Sequence, residues 1–318
     1  MYGNLQILSG NASKELAKAI CVELAIEPTP VRVAPFPDGE IDVRVEDHVR
    51  GNDVFIVQST CPNVNDHLME LLILIDAVRR ASSGRITAVV PYFGYARKDR
   101  KDEGRVPITA KLVANLIVTA GANRVLTVDL HAAQIQGFFD IPVDHLYSAP
   151  VLAKHFNDRH IPDLTVVAPD VGSAKMARGY AKRLHADLAI INKRRLSAEE
   201  TEVTELIGSV EGRNVLLIDD MISTAGSITE AAKAVKKSGA KDVYIAATHG
   251  VLCGHAREKL RSSEVKEIVL TDTIPVDTFG LPNLRVLSIA PLLASAIDRV
   301  HQERSVSALF SRREEGMS

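Results

Sequence analysis

Short runs of successive apolar residues recur along the chain. They span Leu5 to Leu8, Val54 to Val57, Thr87 to Val90 and Val125 to Val128, then Thr165 to Ala168, Val215 to Ile218, Val243 to Ala247 and Ile268 to Leu270. Polar and apolar residues do not alternate within them, so both faces of each strand are expected to be buried, the pattern of a parallel sheet with helices on either side. The segments between these runs carry a different period. From His67 to Ala81, for example, Leu68, Leu71, Leu72, Ile75 and Val78 fall on one helical face. The alternation predicts an α/β chain built from βαβ units.

A long-range repeat refines this. Thr119-Ala120-Gly121-Ala122-Asn123-Arg124-Val125, followed by Thr127-Val128-Asp129-Leu130-His131, aligns with Lys237-Ser238-Gly239-Ala240-Lys241-Asp242-Val243, followed by Ile245-Ala246-Ala247-Thr248-His249. Each copy reads as helix, Gly-Ala turn, strand, histidine. A fainter echo links residues 9–17 with residues 169–177. The expectation is two similar doubly wound domains with mainly parallel sheets, joined near Val143 to Pro150, with a ligand cleft between them. The boundaries are placed at 1–146 and 147–290. Residues 291–318 form a C-terminal helix and tail that pack back on the N-terminal domain.

Composition narrows the classes. The 318 residues suit about two ordinary domains. A net charge of −2 supplies no field that would favour nucleic acid or an anionic membrane surface, so any phosphate binding has to be local. Cys21, Cys61 and Cys253 are odd in number and lack metal-type spacing, which points to reduced thiols in a cytoplasmic protein. No stretch has the apolar length of a membrane span, and the N-terminus lacks a secretory pattern.

The most specific chemistry lies between Val215 and Ser227. An apolar strand leads to the paired acids Asp219 and Asp220, and Ser223, Thr224, Ala225, Gly226 and Ser227 then open a helical run at Ile228. Carboxylates at a strand end can accept hydrogen bonds from both hydroxyls of a vicinal diol. The following turn offers backbone N–H groups, the positive end of a helix dipole and hydroxyl groups to a phosphate, and Gly226 permits close approach. A diol with a phosphate describes a ribose 5-phosphate. No P-loop is present, so any ATP must be held by other means.

This string resembles the phosphoribosyl-diphosphate motif shared by phosphoribosyltransferases and the ribose-phosphate pyrophosphokinases. Further segments, in order, favour the pyrophosphokinase family. Pro35-Phe36-Pro37-Asp38-Gly39-Glu40 looks like that family's adenine loop, Pro91-Tyr92-Phe93-Gly94-Tyr95-Ala96-Arg97-Lys98 opens a stretch like its ATP segment, residues 128–139 look like its metal and ATP signature, and Asn192-Lys193-Arg194-Arg195 looks like its catalytic loop. The resemblance implies two domains of the type I phosphoribosyltransferase-like fold and transfer of the β,γ-diphosphoryl group of ATP to the C1 hydroxyl of ribose 5-phosphate. It makes Lys193 and Arg195 catalytic and gives ATP to Phe36, Asp38, Gly39, Glu40, Arg97, Lys98 and His131. It gives ribose 5-phosphate to Arg195, Asp219, Asp220 and Ser223 to Ser227, and Mg2+ to His131 and Asp170. It also implies an oligomer, a homohexamer in which the Phe36 loop reaches a neighbouring subunit's ATP site.

The chain departs from the family pattern in places. Ser223 stands where a third acid is usual, Asn192 where an Asp often precedes Lys193, and Ser173 where the turn after Asp170 usually has a second glycine. His48 replaces a serine of the phosphate-activated enzymes, although Ser305-Val306-Ser307 resembles the rest of their allosteric site. Two alternatives stay open: a phosphoribosyltransferase, which needs the same sugar-phosphate motif, and a non-catalytic regulatory homologue.

Overall fold

The computed structural model describes residues 2–194 and 203–310. The chain divides into two compact units, residues 1–147 with 288–318, and residues 148–287. In the first unit the elements are β1 (Leu5–Ser9), α1 (Lys14–Leu24), β2 (Val31–Pro35), β3 (Ile41–Val45), β4 (Asp53–Val57), α2 (Val64–Arg80), β5 (Arg85–Val90), α3 (Thr109–Ala120), β6 (Arg124–Val128) and β7 (Val143–Leu146). The second unit holds α4 (Ala149–Asp158), β8 (Leu164–Ala168), α5 (Ala174–Leu184), β9 (Asp187–Arg194), β10 (Val203–Ile207), β11 (Asn214–Ile222), α6 (Gly226–Lys237), β12 (Val243–Gly250), α7 (Ala256–Arg261), β13 (Glu267–Thr271) and β14 (Leu284–Leu287). The chain returns to the first unit with α8 (Ala290–His301).

The first sheet runs β1-β4-β5-β6-β7, and all its strand pairs are parallel. Its residues alternate between two cores. Leu8, Val54, Ile56, Ala88, Val90 and Val125 pack with α2 and α3, while Ile7, Phe55, Val57, Val89, Leu126 and Val128 pack with α1 and α8. Every one of these side chains is buried, which is why the runs are continuously apolar. β2 and β3 form a separate antiparallel hairpin with Val31, Val33, Val43 and Val45 against the α2 side of the core and charged residues elsewhere.

The second sheet runs β10-β9-β8-β11-β12-β13-β14, parallel except for the β9/β10 pair. The chain winds from β8 outward to β9 and β10, then crosses back and places β11 on the other side of β8. Val215 and Leu217 pack with α6 and α7, and Leu216 and Ile218 with α4 and α5. Among the described residues no helix is long and apolar enough to cross a membrane. No disulfide forms among the described residues: Cys21 and Cys61 are buried, Cys253 is exposed, and burial, with the Glu27 charge adding to it, pushes the Cys21 thiol up to about 11.

A buried charge network ties α8 to the first sheet. Asp53 has no solvent exposure, and its carboxylate accepts from Arg85 Nε at 2.8 Å and lies 2.8 Å from His301 Nδ1. Arg85 also donates to the Val300 carbonyl at 2.9 Å. Removing one member strands a buried charge, so Asp53→Ala is expected to destabilise the first unit by about 3–5 kcal/mol. Loss of thermal stability with far less effect at an exposed pair such as Lys18 and Glu15 is the expected result in a melting experiment.

Candidate active site

In parallel sheets, ligands collect outside the carboxyl ends of strands where the winding direction reverses. That reversal falls between β8 and β11, and the predicted acids lie at those ends, Asp170 in the loop after β8 and Asp219 and Asp220 within β11 itself. Asp170 lies two residues beyond β8. It is exposed, and Ser173 caps it, with the Ser173 N–H donating to Asp170 Oδ1 at 2.9 Å and the Ser173 hydroxyl at 3.1 Å. The serine that departs from the family pattern thus holds the carboxylate in place.

β11 is longer than its apolar run. Its ladder with β12 continues through Asp219, paired with Ala247, to Ile222, paired with Gly250. Main-chain pairing needs no apolar side chain, so the strand carries both acids instead of stopping before them. Asp220 is buried and Asp219 half-buried. Desolvation, then the Asp220 charge, with a smaller contribution from Asp170, pushes the Asp219 carboxyl up to about 8. Both neighbouring carboxylates thus bear on the protonation of Asp219.

The phosphate turn follows. Ala225 precedes α6 with φ 60° and ψ 5°, a left-handed conformation that costs an alanine about 1–2 kcal/mol. It is 4% exposed, so packing holds it there. No side chain caps α6, which leaves the first N–H groups of a 12-residue helix directed outward. Thr224 and Ser227 are exposed beside them. A β-carbon on Gly226 would meet nothing closer than 3.6 Å, so the fold does not require glycine there; the open space in front of the turn is what its absence of side chain preserves. Ser223 lies 3.3 Å from Cys253, Oγ to Sγ, a neighbour 30 residues away that no local signal announces.

The predicted ATP residues sit in the first unit. Arg97 and Lys98 follow the end of β5 and are exposed, with Lys98 Nζ 3.8 Å from Asp102. His131 follows the end of β6, the strand beside β5, and is also exposed. A bond from Gln134 Nε2 to Asp99 Oδ2 at 2.8 Å ties the two segments together. His145 anchors the β6 loop: its Nε2 accepts the Leu130 N–H at 2.9 Å, and the side-chain amide nitrogen of Gln136, which donates to the Ala133 carbonyl at 2.9 Å, lies 3.2 Å from its Nδ1. Phe36, Asp38, Gly39 and Glu40 form the exposed tip of the β2/β3 hairpin, Phe36 being 49% exposed. The tip is closed by its own bonds, Gly39 N–H to the Phe36 carbonyl at 2.9 Å and Glu40 N–H to Asp38 Oδ1 at 3.1 Å. Gly39 has φ 94°, a value a side chain would strain.

Lys193 lies in β9, where it pairs through its backbone with Thr204 of β10. Arg195 lies outside the described residues. Among the described residues, no three His, Cys, Asp or Glu side chains form a ready metal cage.

The raised Asp219 carboxyl has a testable consequence. Its stabilising effect is complete below the unfolded carboxylate value of about 4 and is lost as pH rises through about 8, because the native state must then ionise it against its neighbours. Asp219→Asn is therefore expected to raise the melting temperature at pH 9 by more than at pH 5, where the variant and the native sequence converge.

Comparison with known proteins places this architecture. A family model described as the N-terminal domain of ribose phosphate pyrophosphokinase matches residues 5–121, and one described as a phosphoribosyl synthetase-associated domain matches residues 195–311. The ribose-phosphate pyrophosphokinase of Rhodopirellula baltica is 58% identical over 313 residues, covering 97% of this chain and 99% of the relative. That of Caldanaerobacter subterraneus subsp. tengcongensis is 52% identical over 310 residues, covering 97% and 98%. The crystal structure of phosphoribosylpyrophosphate synthetase from Mycobacterium smegmatis superposes with a TM-score of 0.90 at 43% identity, covering 95% of this chain and 100% of that one. The chain belongs to the ribose-phosphate pyrophosphokinase family.

Proposed function

We infer that this chain is a ribose-phosphate diphosphokinase, making 5-phosphoribosyl 1-diphosphate and AMP from ATP and ribose 5-phosphate for nucleotide biosynthesis. The observation that carries the reading is the pair of β11 carboxylates followed by an uncapped, outward-facing helix N-terminus, in a chain with family relatives at full length. Asp219 and Asp220 accept the ribose hydroxyls. The N–H groups and hydroxyls from Thr224 to Ser227, with Ser223 beside them, take the 5-phosphate.

On the donor side, Arg97, Lys98 and His131 bind the phosphates of ATP, and Phe36, Asp38, Gly39 and Glu40 bind its adenosine. The C1 hydroxyl oxygen attacks the β-phosphorus, the bond from that phosphorus to the α,β-bridging oxygen breaks, AMP departs with the bond electrons, and the hydroxyl proton is lost. Lys193 and Arg195 offset the negative charge that grows on the equatorial and departing oxygens. Arg195 also contacts the ribose phosphate.

Mg2+ suits the donor set. The crowded Asp170, Asp219 and Asp220 charges call for a cation, and this ion takes few carboxylates and completes its shell with substrate phosphates and water. Asp170, and His131 in the first unit, are the proposed ligands. When bound, the ion neutralises phosphate charge. We further propose that the enzyme works in the cytoplasm as a homo-oligomer, a hexamer by family pattern, with no nucleic-acid or membrane partner.

AMP should form from ATP only when ribose 5-phosphate and Mg2+ are both present; formation of phosphoribosyl diphosphate from a nucleotide and pyrophosphate instead would mark a phosphoribosyltransferase, and no turnover a regulatory homologue. Lys193→Ala is expected to lower kcat at least about a hundredfold while ATP affinity stays within a few fold. Gly226→Ala should leave the melting temperature nearly unchanged, since its β-carbon finds room, yet raise the KM for ribose 5-phosphate about tenfold or more by blocking the phosphate turn.

A further inference from the structure

α7 enters the second core through Ala256 and Leu260, both fully buried, and this anchoring leaves the adjacent Lys259 exposed. The lysine is far from the ribose-phosphate string in sequence, yet its ammonium reaches the string's turn. A β-carbon on Gly226 would stand 3.6 Å from Lys259 Nζ and 3.9 Å from Thr224 Oγ1. A full positive charge therefore sits beside the N-terminus of α6, whose uncapped N–H groups carry the same sign.

That juxtaposition is unfavourable unless a negative group contacts both. None of the described carboxylates is within ion-pair distance of Lys259: its neighbour Glu258 is engaged by His255 Nδ1 at 2.8 Å. Ser223 in the same turn contributes no charge. The hydroxyls of Thr224 and Ser227 are exposed beside the N–H groups and suit an oxyanion. Asp219 and Asp220 lie further back in β11, on the side assigned to the sugar hydroxyls.

Resting on the reading of this turn as the ribose 5-phosphate site, we propose that Lys259 is a binding and specificity residue that grips the 5-phosphate alongside the α6 N-terminus. A dianionic phosphate would meet the N–H dipoles and the adjacent ammonium together, and the lysine would discriminate against sugars with a neutral or singly charged group at that end. Because Lys259 is exposed, solvent and salt moderate the effect.

The test compares the native protein with Lys259→Ala and Lys259→Arg. Expected for Lys259→Ala are a three- to tenfold rise in the KM for ribose 5-phosphate, kcat and the KM for ATP within twofold, and a loss that shrinks as ionic strength rises. Lys259→Arg should restore most of the affinity. An unchanged KM for ribose 5-phosphate in an active Lys259→Ala enzyme overturns the clamp while leaving the diphosphokinase reading intact, as does a loss in kcat alone. If the native protein does not form AMP, the diphosphokinase reading fails separately, and the clamp is judged by the thermal shift that ribose 5-phosphate produces. A shift diminished in Lys259→Ala supports it; an equal shift, or none in the native protein, overturns it.

Discussion

The reversal of winding between β8 and β11 is the constraint on which the proposed ribose-phosphate site depends. Two adjacent parallel strands whose connections leave in opposite directions cannot cover their shared carboxyl end, so a crevice opens there without any need to carve one from the core. In the second unit both loops bordering the crevice carry function-bearing groups: Asp170 and Ser173 after β8, and Ser223 to Ser227 after β11. The apolar layers on the two faces of the sheet hold these loops at fixed positions, as Val215 and Leu217 on one side and Leu216 and Ile218 on the other leave β11 no freedom to slide.

Charges of both signs gather in this crevice. Burial first, and then the neighbouring Asp220 and Asp170 charges, raise the Asp219 carboxyl, while the α6 N-terminus and the Lys259 ammonium place positive charge around the neighbouring turn. In the proposed reading this arrangement serves a molecule with hydroxyls, or a cation, at one end and a phosphate at the other. The left-handed Ala225 belongs to the same pattern, a local strain tolerated at a turn that must expose its backbone.

The first unit uses another device. Its strands follow one another in a single direction across the sheet, and the face beside α1 is completed by α8, which arrives from the far end of the chain. The buried Asp53, Arg85 and His301 network secures that return at the amino-terminal ends of β4 and β5. The opposite ends stay available to the Arg97 and His131 loops, which the Gln134 to Asp99 bond couples.

Much of the strand inventory could be read directly, because a strand buried on both faces must be apolar at every position, and the eight apolar runs all fall in sheet strands. The β2/β3 hairpin, β7, β10 and β14 escaped that reading since they are only partly buried or mix polar with apolar residues. The site proposed between Asp219 and Ser227 could be read from the sequence because diol and phosphate recognition by one strand-loop-helix unit would be local, with every contributing residue within a dozen positions. By itself, then, the sequence determined the α/β class, the strand-turn-helix unit proposed to hold the sugar phosphate and the family resemblance. The tertiary structure alone decided which strands stand side by side, that β11 carries its acids within the ladder, that Cys253 touches Ser223, and that Lys259 faces Gly226. Strand order and contacts across 30 or more residues follow from how layers pack, and packing leaves no trace in the local pattern of the residues it brings together.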